Sequence, residues 1–523
     1  MQINPILLEI FKNQFVSIAE EMGVTLMRTA FSSNIKERRD YSCALFDRQG
    51  DLVAQAAHIP VHLGSMPLSV KAALEAGPLA GGDMVILNDP FKGGTHLPDI
   101  TLVAPVFWGG PEPAFFVANR AHHADVGGMT AGSMPVATSI FQEGIIIPPL
   151  KLVRAGRMDD ALLRFFLNNV RTPQEREGDL AAQMMANMIG IRRLQEMIQK
   201  QGLELTDMYA GALMDYSETV IRSIIEGIPD GEYSFEDFMD DDGLDGDGVP
   251  IQVTISIQGD EAELDFSRSG DQVGGGINAV RAITLSAVLY VFRALSEVNI
   301  SANAGCLRPI QVITRKGSVV DALPPAAVAG GNVETSQRLV DVILGALSTA
   351  IPERIPAASQ GTMNNITLGG FDPYQRQAFA YYETLGGGMG ASAKGPGESG
   401  VHSHMTNTLN TPIEALEFAY PFMITEYAIN KGTGGNGRFR GGDGLIREIR
   451  VLADTEAAVI SERRKSTPYG LNHGKSGVSG RNILIRDGDA TIMPAKFQVQ
   501  MKAGDILRIE TPGGGGWGRS QND

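Results

Sequence analysis

Three of the eight histidines in this 523-residue chain fall in one short window, each with a carboxylate close by. The stretch "GGTHLPDI" (residues 93–100) offers His96 and Asp99. Some twenty residues later, "NRAHHADVGG" (residues 119–128) offers His122, His123 and Asp125. Histidine with carboxylate suits Zn²⁺, Mn²⁺ or Fe²⁺, and an incomplete protein shell leaves room for water or substrate. Pro98 lacks an amide hydrogen and biases Leu97 toward an extended backbone, so His96 and Asp99 do not share a regular helix face. A turn entering the next strand can still bring both to one point. In "AHHAD" an extended backbone sends His122 to one face and His123 with Asp125 to the other. Only one of the two imidazoles is then a direct ligand, and spacing does not say which. Hydrogen bonding to the loop backbone around Gly94, Gly127 and Gly128 is the competing explanation, and no fixed motif such as HExxH decides between them.

Two further clusters carry the same ambiguity. "NIKERRDYS" (residues 34–42) packs Glu37, Arg38, Arg39 and Asp40 together. A charge run of this kind reads as a solvated helix end, or as a source of a metal-binding carboxylate and an arginine for an anionic substrate group. "GVHSHMTNT" (residues 400–408) places His402 and His404 two apart, on one face if the segment is extended. They suit ligands, acid–base groups or a packed loop equally well.

The elements that must position these residues follow from periodicity. Ile6, Leu7, Ile10, Phe11, Phe15, Ile18 and Met22 recur at helical spacing, so the chain opens with an amphipathic helix. "YSCALFDRQGDLVAQAA" reads as a hairpin around an Asp-Arg-Gln-Gly-Asp turn. A helix over 65–75 and strands near 84–87, 101–107 and 114–119 follow, which puts both histidine stretches at strand ends. Residues 158–227 are largely helical, broken at Arg171–Thr172–Pro173. "VPIQVTISIQGDEAELDFS" is a second hairpin, helices return near 278–298 and 335–350, and the last 160 residues or so are Gly-rich and strand-like. The expected fold class is mixed α/β (α+β), with a metal-site region and helical extension over 1–227, a central α/β region over 228–350 and a β-rich region over 351–523.

Composition narrows the function. A formal net charge of −16 disfavours nucleic acid, which needs a basic footprint. Cys43 and Cys306 cannot form a disulfide framework, so a reducing, cytoplasmic setting fits best. The most apolar helix candidate, 282–298, contains Arg293 and Glu297 and is too short to span a bilayer, and the first residues lack the pattern of a signal peptide. "GGGMGA" (386–391) and "GGDGLIRE" (441–448) are neither Walker A nor dinucleotide motifs, and tight turns are expected there. "DDDGLDGDG" (240–248) lacks the register of a calcium loop and reads as an acidic turn. No GxSxG nucleophile elbow is present. If ATP is used, another chain binds it.

The motifs "NIKERRDYSCALFDRQGDLVAQAAHIPVHLGSMP", "LNDPFKGGTHLPDITLVAPVF", "NRAHHADVGG", "AGGNVETSQR", "SQGTMNN", "YYETLGGGMGA", "HSHMTNTLNTPIEALE", "GRFRGGDGLIRE" and "TPGGGGWG", in order and end to end, resemble the hydantoinase B/oxoprolinase family. The resemblance implies the B-type component of an ATP-dependent enzyme, with ATP/Mg on a hydantoinase A-type partner in a hetero-oligomer such as α2β2. It also implies a divalent metal, zinc first, with manganese or iron as alternatives. Carried over, His96 and Asp99 lead the ligand set, followed by His122 or His123, with a carboxylate from Glu37 or Asp40. The histidine that is not a ligand would move protons, beside Asp125, while Arg38, Arg39 or Arg120 would hold an anionic substrate or intermediate. The implied reaction is opening of a hydantoin, 5-oxoproline or lactam ring. The alternatives are a component of an ATP-dependent ketone carboxylase of the acetone or acetophenone carboxylase kind and a non-catalytic structural partner.

Overall fold

The computed structural model describes residues 3–56, 58–244 and 246–520; Ala57, at the end of the first expected hairpin, and Asp245, in the acidic turn, lie outside them. The opening helix, α1 (Pro5–Thr29), starts where the Asn4 side chain accepts hydrogen bonds from the amides of Ile6 and Leu7, the usual way to satisfy orphan donors at a helix start. Its buried Phe11, Phe15, Ile18, Met22 and Leu26 form one stripe. A four-residue turn of helix, α2 (Ser33–Lys36), leads into β1 (Tyr41–Phe46) and β2 (Leu52–Gln55), the hairpin expected around the Asp47–Asp51 turn.

Past α3 (Met66–Glu75) come β3 (Met84–Leu87), β4 (Asp99–Phe107), β5 (Pro113–His122), β6 (Leu150–Arg154) and β7 (Arg157–Met158). These form a seven-stranded sheet in the order β2-β1-β5-β4-β3-β6-β7, antiparallel throughout. Both faces of its central strands are buried. Ile100, Leu102, Ala104, Phe115 and Val117 join the main core, while Val103, Phe116 and Ala118 pack with Met66 and Val70 of α3. This two-sided burial makes β4 and β5 read as nearly continuous apolar runs.

The helical stretch resolves into α4 (Asp160–Leu167), α5 (Pro173–Gln201) and α6 (Leu203–Glu226), with the break at Pro173 as expected. A second break falls at Gly202, whose φ of 88° no helix accommodates. The centre holds β8 (Gly231–Met239), β9 (Val249–Gln258), β10 (Glu261–Asp265), α7 (Arg281–Ala294), β11 (Ile310–Ile313) and α8 (Ser336–Ala350). Its four strands run in the order β11-β10-β9-β8. A π-helical turn, Gly331–Thr335, leads directly into α8. One core runs from α1 through α8, with Ile228 inside it.

The last third contains β12 (Asn365–Asp372), β13 (Gln377–Glu383), α9 (Ile413–Ala419), β14 (Phe422–Asn430), β15 (Gly444–Val451), β16 (Thr455–Ile460), β17 (Arg481–Arg486), β18 (Asp489–Met493), β19 (Lys496–Met501) and β20 (Ile506–Glu510). Two sheets, β13-β12-β16-β19 and β14-β15-β20-β17-β18, enclose a second core of Ile366, Leu368, Tyr381, Ile449 and Leu507. The chain is mixed α/β.

The glycines of 386–391 and 441–448 correct the expectation of tight turns, and those of 512–518 behave in the same way. Of these, only Gly518 has a positive φ. They lie where extended backbones pass within hydrogen-bonding distance of one another: Gly442 N donates to Met389 O at 2.8 Å, Gly514 N to Gly442 O at 2.9 Å and Gly435 N to Gly514 O at 2.8 Å. A methyl group on Gly390, Gly442 or Gly514 would collide with backbone of a neighbouring segment. Glycine is required there for close approach and not for turning. Gly390→Ala is expected to destabilise the chain by about 1–3 kcal/mol or more, as overpacking does. Gly395→Ala, with nothing near its added methyl, is expected to leave the melting temperature almost unchanged.

Candidate metal centre

The candidate site is built at one end of the β4–β5 hairpin. Asp99 opens β4, His122 closes β5, and the two are direct cross-strand partners, so their side chains leave the sheet on the same face. His96 reaches the same point from the turn before β4. There the amide of Asp99 donates to His96 O at 3.1 Å and that of Ile100 to Pro98 O at 3.1 Å, while Asn88 Nδ2 donates to Leu97 O at 2.8 Å. The turn around Pro98 thus does what a helix face could not.

Three electron-rich atoms converge. Asp99 Oδ1 lies 3.3 Å from His96 Nε2 and 3.5 Å from His122 Nδ1, and the two ring nitrogens are 3.2 Å apart. All three side chains are at most 2% exposed. Ligands at about 2.1 Å from a tetrahedral cation are about 3.4 Å from each other, so this triangle has the edge length of a coordination face. Among the described residues Asp99 Oδ1 has no hydrogen-bond donor, although a buried carboxylate oxygen ordinarily has one. His96, Asp99 and His122 therefore fit a divalent cation on geometry and on donor chemistry.

The other carboxylate oxygen is anchored. Asp99 Oδ2 accepts from Thr95 Oγ1 and lies 3.0 Å from His62 Nε2, while His62 Nδ1 is 2.9 Å from Ser42 Oγ. Burial opposes ionisation of Asp99, but His96, His62 and His122 together hold its carboxyl well below the usual range. Burial pushes His122 down, toward the neutral imidazole that a metal needs. From the central region, Asn332 on the π turn brings Nδ2 within 3.2 Å of His96 Nε2. From the last third, the Tyr382 ring stacks on His122 with centroids 4.3 Å apart and planes 9° from parallel. A small cavity, about 20 Å³, adjoins the cluster, lined by Asp40, His62, Asp99 and His122 and also by Val61, Val333, Met363 and Met405.

The remaining candidates are distributed around this point. His123 passes to the other side of the sheet, where its Nε2 lies 2.9 Å from Gln183 Oε1 of α5; burial pushes it down to about 4. Asp125 is buried and binds Arg171 through both the backbone amide and, at 2.9 Å, the guanidinium. Arg120 lies two residues before His122 on the same face. It donates to Thr101 Oγ1 at 2.9 Å, to Ser69 Oγ at 2.7 Å and to Ser65 Oγ. Asp40 lines the cavity, and its backbone oxygen accepts from the His122 amide at 3.0 Å. Glu37 caps α2 and does not line the cavity. Arg39 is exposed with a φ of 56°. Arg38 is fully buried; it donates to Thr384 Oγ1 at 2.7 Å and lies 4.8 Å from the Tyr382 ring centroid. The 402–404 segment is not extended, because His404 takes a φ of 57°, so the expected shared face does not form. His404 Nδ1 meets Tyr290 Oη at 3.3 Å, and burial pushes His402 down to about 4.

No local motif in the sequence assigns a role to His62, Asn332 or Tyr382. They lie 34, 236 and 286 positions before or after His96, and nothing local in their segments marks them as neighbours of the cluster. Only the motif strings that contained them pointed that way.

Fold and site together define a mixed α/β chain carrying a buried, cation-ready His–Asp cluster. The chain belongs to the hydantoinase B/oxoprolinase family, whose model matches residues 4–520. It is 40% identical over 532 residues to the 5-oxoprolinase of Dictyostelium discoideum, covering 100% of this chain but 41% of that protein. The 5-oxoprolinase 1 of Arabidopsis thaliana is matched in the same way, at 41% identity over 98% of this chain and 41% of the relative, so the chain spans about two-fifths of these relatives' length. The putative B component of a D-/L-hydantoinase from a Pseudomonas species is 29% identical over 99% of this chain and 90% of its own length. In structure, the chain is similar to the ATP-dependent caprolactamase of Pseudomonas jessenii, with a TM-score of 0.92, 28% identity and coverage of 100% and 93%. Acetone carboxylase shares the fold, with a TM-score of 0.90, 19% identity and coverage of 99% and 76%. No helix among the described residues is long and apolar enough to cross a membrane.

The π turn also yields a pH signature. Burial, with the nearby charge of Glu462 adding to it, pushes the Glu334 carboxyl up to about 8. A carboxyl raised in the fold costs nothing below the ordinary carboxylate range, and its cost grows as pH climbs to about 8. Glu334→Gln removes that cost while keeping an acceptor for Asn365 and Met363. Thermal melts from pH 5 to pH 8 should therefore show the variant gaining on the native chain as pH rises.

Proposed function

We propose that this chain is the metal-bearing part of an ATP-dependent cyclic-amide hydrolase that opens a hydantoin, 5-oxoproline or lactam ring. ATP is bound by a hydantoinase A-type partner. The observation that carries the reading is the triangle of His96 Nε2, His122 Nδ1 and Asp99 Oδ1, with sides of 3.2–3.5 Å and, among the described residues, no donor on the carboxylate oxygen. Three lone-pair atoms held this close in a buried site repel one another unless a cation or protons lie between them. The names borne by the relatives, 5-oxoprolinase, D-/L-hydantoinase and caprolactamase, support the reaction class.

His96, Asp99 and His122 would hold the cation, zinc by the preference of imidazole and carboxylate for it, with Asp40 the carboxylate nearest to hand in the cavity. When bound, the cation supplies a Lewis acid for the amide oxygen or for an attacking water. Holding and shielding the site fall to the chain's own residues. His62 and Thr95 fix Asp99 Oδ2 and so aim Oδ1 into the triangle. Val61, Val333, Met363 and Met405 keep bulk water from the reacting carbonyl. The Asp40 carboxylate is the cavity's candidate for holding or taking a proton. Arg38, behind Thr384, adds positive potential for an anionic intermediate. Amide resonance makes the carbonyl a poor electrophile, and phosphorylation of the amide oxygen with the partner's ATP would remove that resonance.

The purified chain should carry about one divalent cation by elemental analysis. His96→Ala and His122→Ala should each lose it, and His123→Ala should keep it. Reconstituted with an A-type partner, the chain is expected to support ATP turnover with a hydantoin, 5-oxoproline or a lactam. Turnover only with a ketone plus bicarbonate would assign the chain to carboxylation instead.

A further inference from the structure

A histidine that binds a metal through one ring nitrogen almost always donates the other N–H to a carboxylate, a carbonyl or water, and that bond fixes the ring plane. Here the nitrogens facing away from the triangle, His96 Nδ1 and His122 Nε2, have no hydrogen-bond partner among the described residues. Something else must hold the His122 imidazole. Among the described residues, the ring stacked on it in parallel is that of Tyr382, at 4.3 Å and 9°.

Tyr382 is itself anchored at its far end. Its hydroxyl donates to Asn365 Oδ1 at 2.8 Å. Asn365 Nδ2 donates to Glu334 Oε1 at 2.7 Å, which also accepts from the Met363 amide at 3.1 Å. Glu334 belongs to the same π turn, Gly331–Thr335, as Asn332, which faces His96. π-helical turns recur at functional sites, and this one touches the cluster by two routes: directly through Asn332 to His96, and through Glu334, Asn365 and Tyr382 to His122.

We infer that Tyr382 is a positioning residue that sets the plane of the His122 imidazole by stacking, and that the Asn365–Glu334 line ties this support to the π turn that also reaches His96. The inference rests on the reading of His96, Asp99 and His122 as a cation site, and it accounts for how the His122 ring is held without the usual second hydrogen bond. Stacking fixes a plane without fixing a tautomer, so it leaves the ring nitrogens free to be set by the cation.

The test uses the full chain and two readouts. Zn²⁺ affinity, measured by competition with a chromogenic chelator, is compared for the native chain, Tyr382→Phe, Tyr382→Leu, Glu334→Gln and Glu334→Ala, each first shown to be folded by its thermal melt. Tyr382→Leu should weaken binding by about 10–100-fold, the usual effect of losing a ligand's support. Tyr382→Phe keeps the stack and should stay within a few-fold of native, as should Glu334→Gln, which keeps the acceptor. Glu334→Ala should fall between. This pattern of rescue by the conservative variants is not expected of a general loss of stability. Folded Tyr382→Leu with native affinity overturns the inference.

The second readout needs no metal. In ¹³C-histidine-labelled chain, the His122 ring resonance should carry an upfield ring-current shift that persists in Tyr382→Phe and disappears in Tyr382→Leu. If the native chain binds no Zn²⁺, the cation reading itself falls. The ring measurement still judges the stacking role, and an unchanged His122 resonance in folded Tyr382→Leu overturns it.

Discussion

The structure turns on one register pair. Asp99 and His122 are cross-strand partners at the mouth of the β4–β5 hairpin, and this places a carboxylate beside an imidazole on one face of a sheet buried on both sides. A slip of one residue would send His122 to the opposite face and bring His123 to the cluster in its place. The large apolar burial on both faces of β4 and β5 makes such a slip costly. The packing of an ordinary core thus fixes the chemistry at its edge.

Around that pair the chain has gathered support from distant segments. The N-terminal region supplies Ser42 and His62 to pin Asp99 Oδ2, the central region supplies Asn332 through a π turn, and the β-rich last third supplies Tyr382. Each contribution is buried, so these supports meet at the cluster only through packing between the regions. The glycines of the last third serve the same end. They let extended backbones approach closely enough to hydrogen-bond directly, in the region that anchors the strand bearing Tyr382.

Much of this was legible in the sequence, and the legible parts share a cause. The opening helix, the 41–55 hairpin, β3, β4 and the Pro173 break are all written in local periodicity or in proline. So was the divergence of His122 from His123, because alternation along a strand is a local rule. Which of the two faces the cluster depends on strand register, and register is set by the partner strand. His62, Asn332 and Tyr382 were invisible for the same reason: their proximity to His96 is a product of tertiary packing across long stretches of chain. The 386–391 and 441–448 glycines were misread as turns because glycine serves both turning and close approach, and only the neighbouring backbone distinguishes them. His402 and His404 were paired on the assumption of an extended segment, which the left-handed backbone at His404 breaks.

Everything proposed here depends on His96, Asp99 and His122 closing on one cation. The most direct measurement is an anomalous-scattering crystal structure of the metal-loaded chain, collected at the absorption edge of the metal found in it. A single strong peak bonded to His96 Nε2, His122 Nδ1 and Asp99 Oδ1 is expected, with His123 still against Gln183. A metal peak elsewhere, or none in the triangle at full loading, would contradict it.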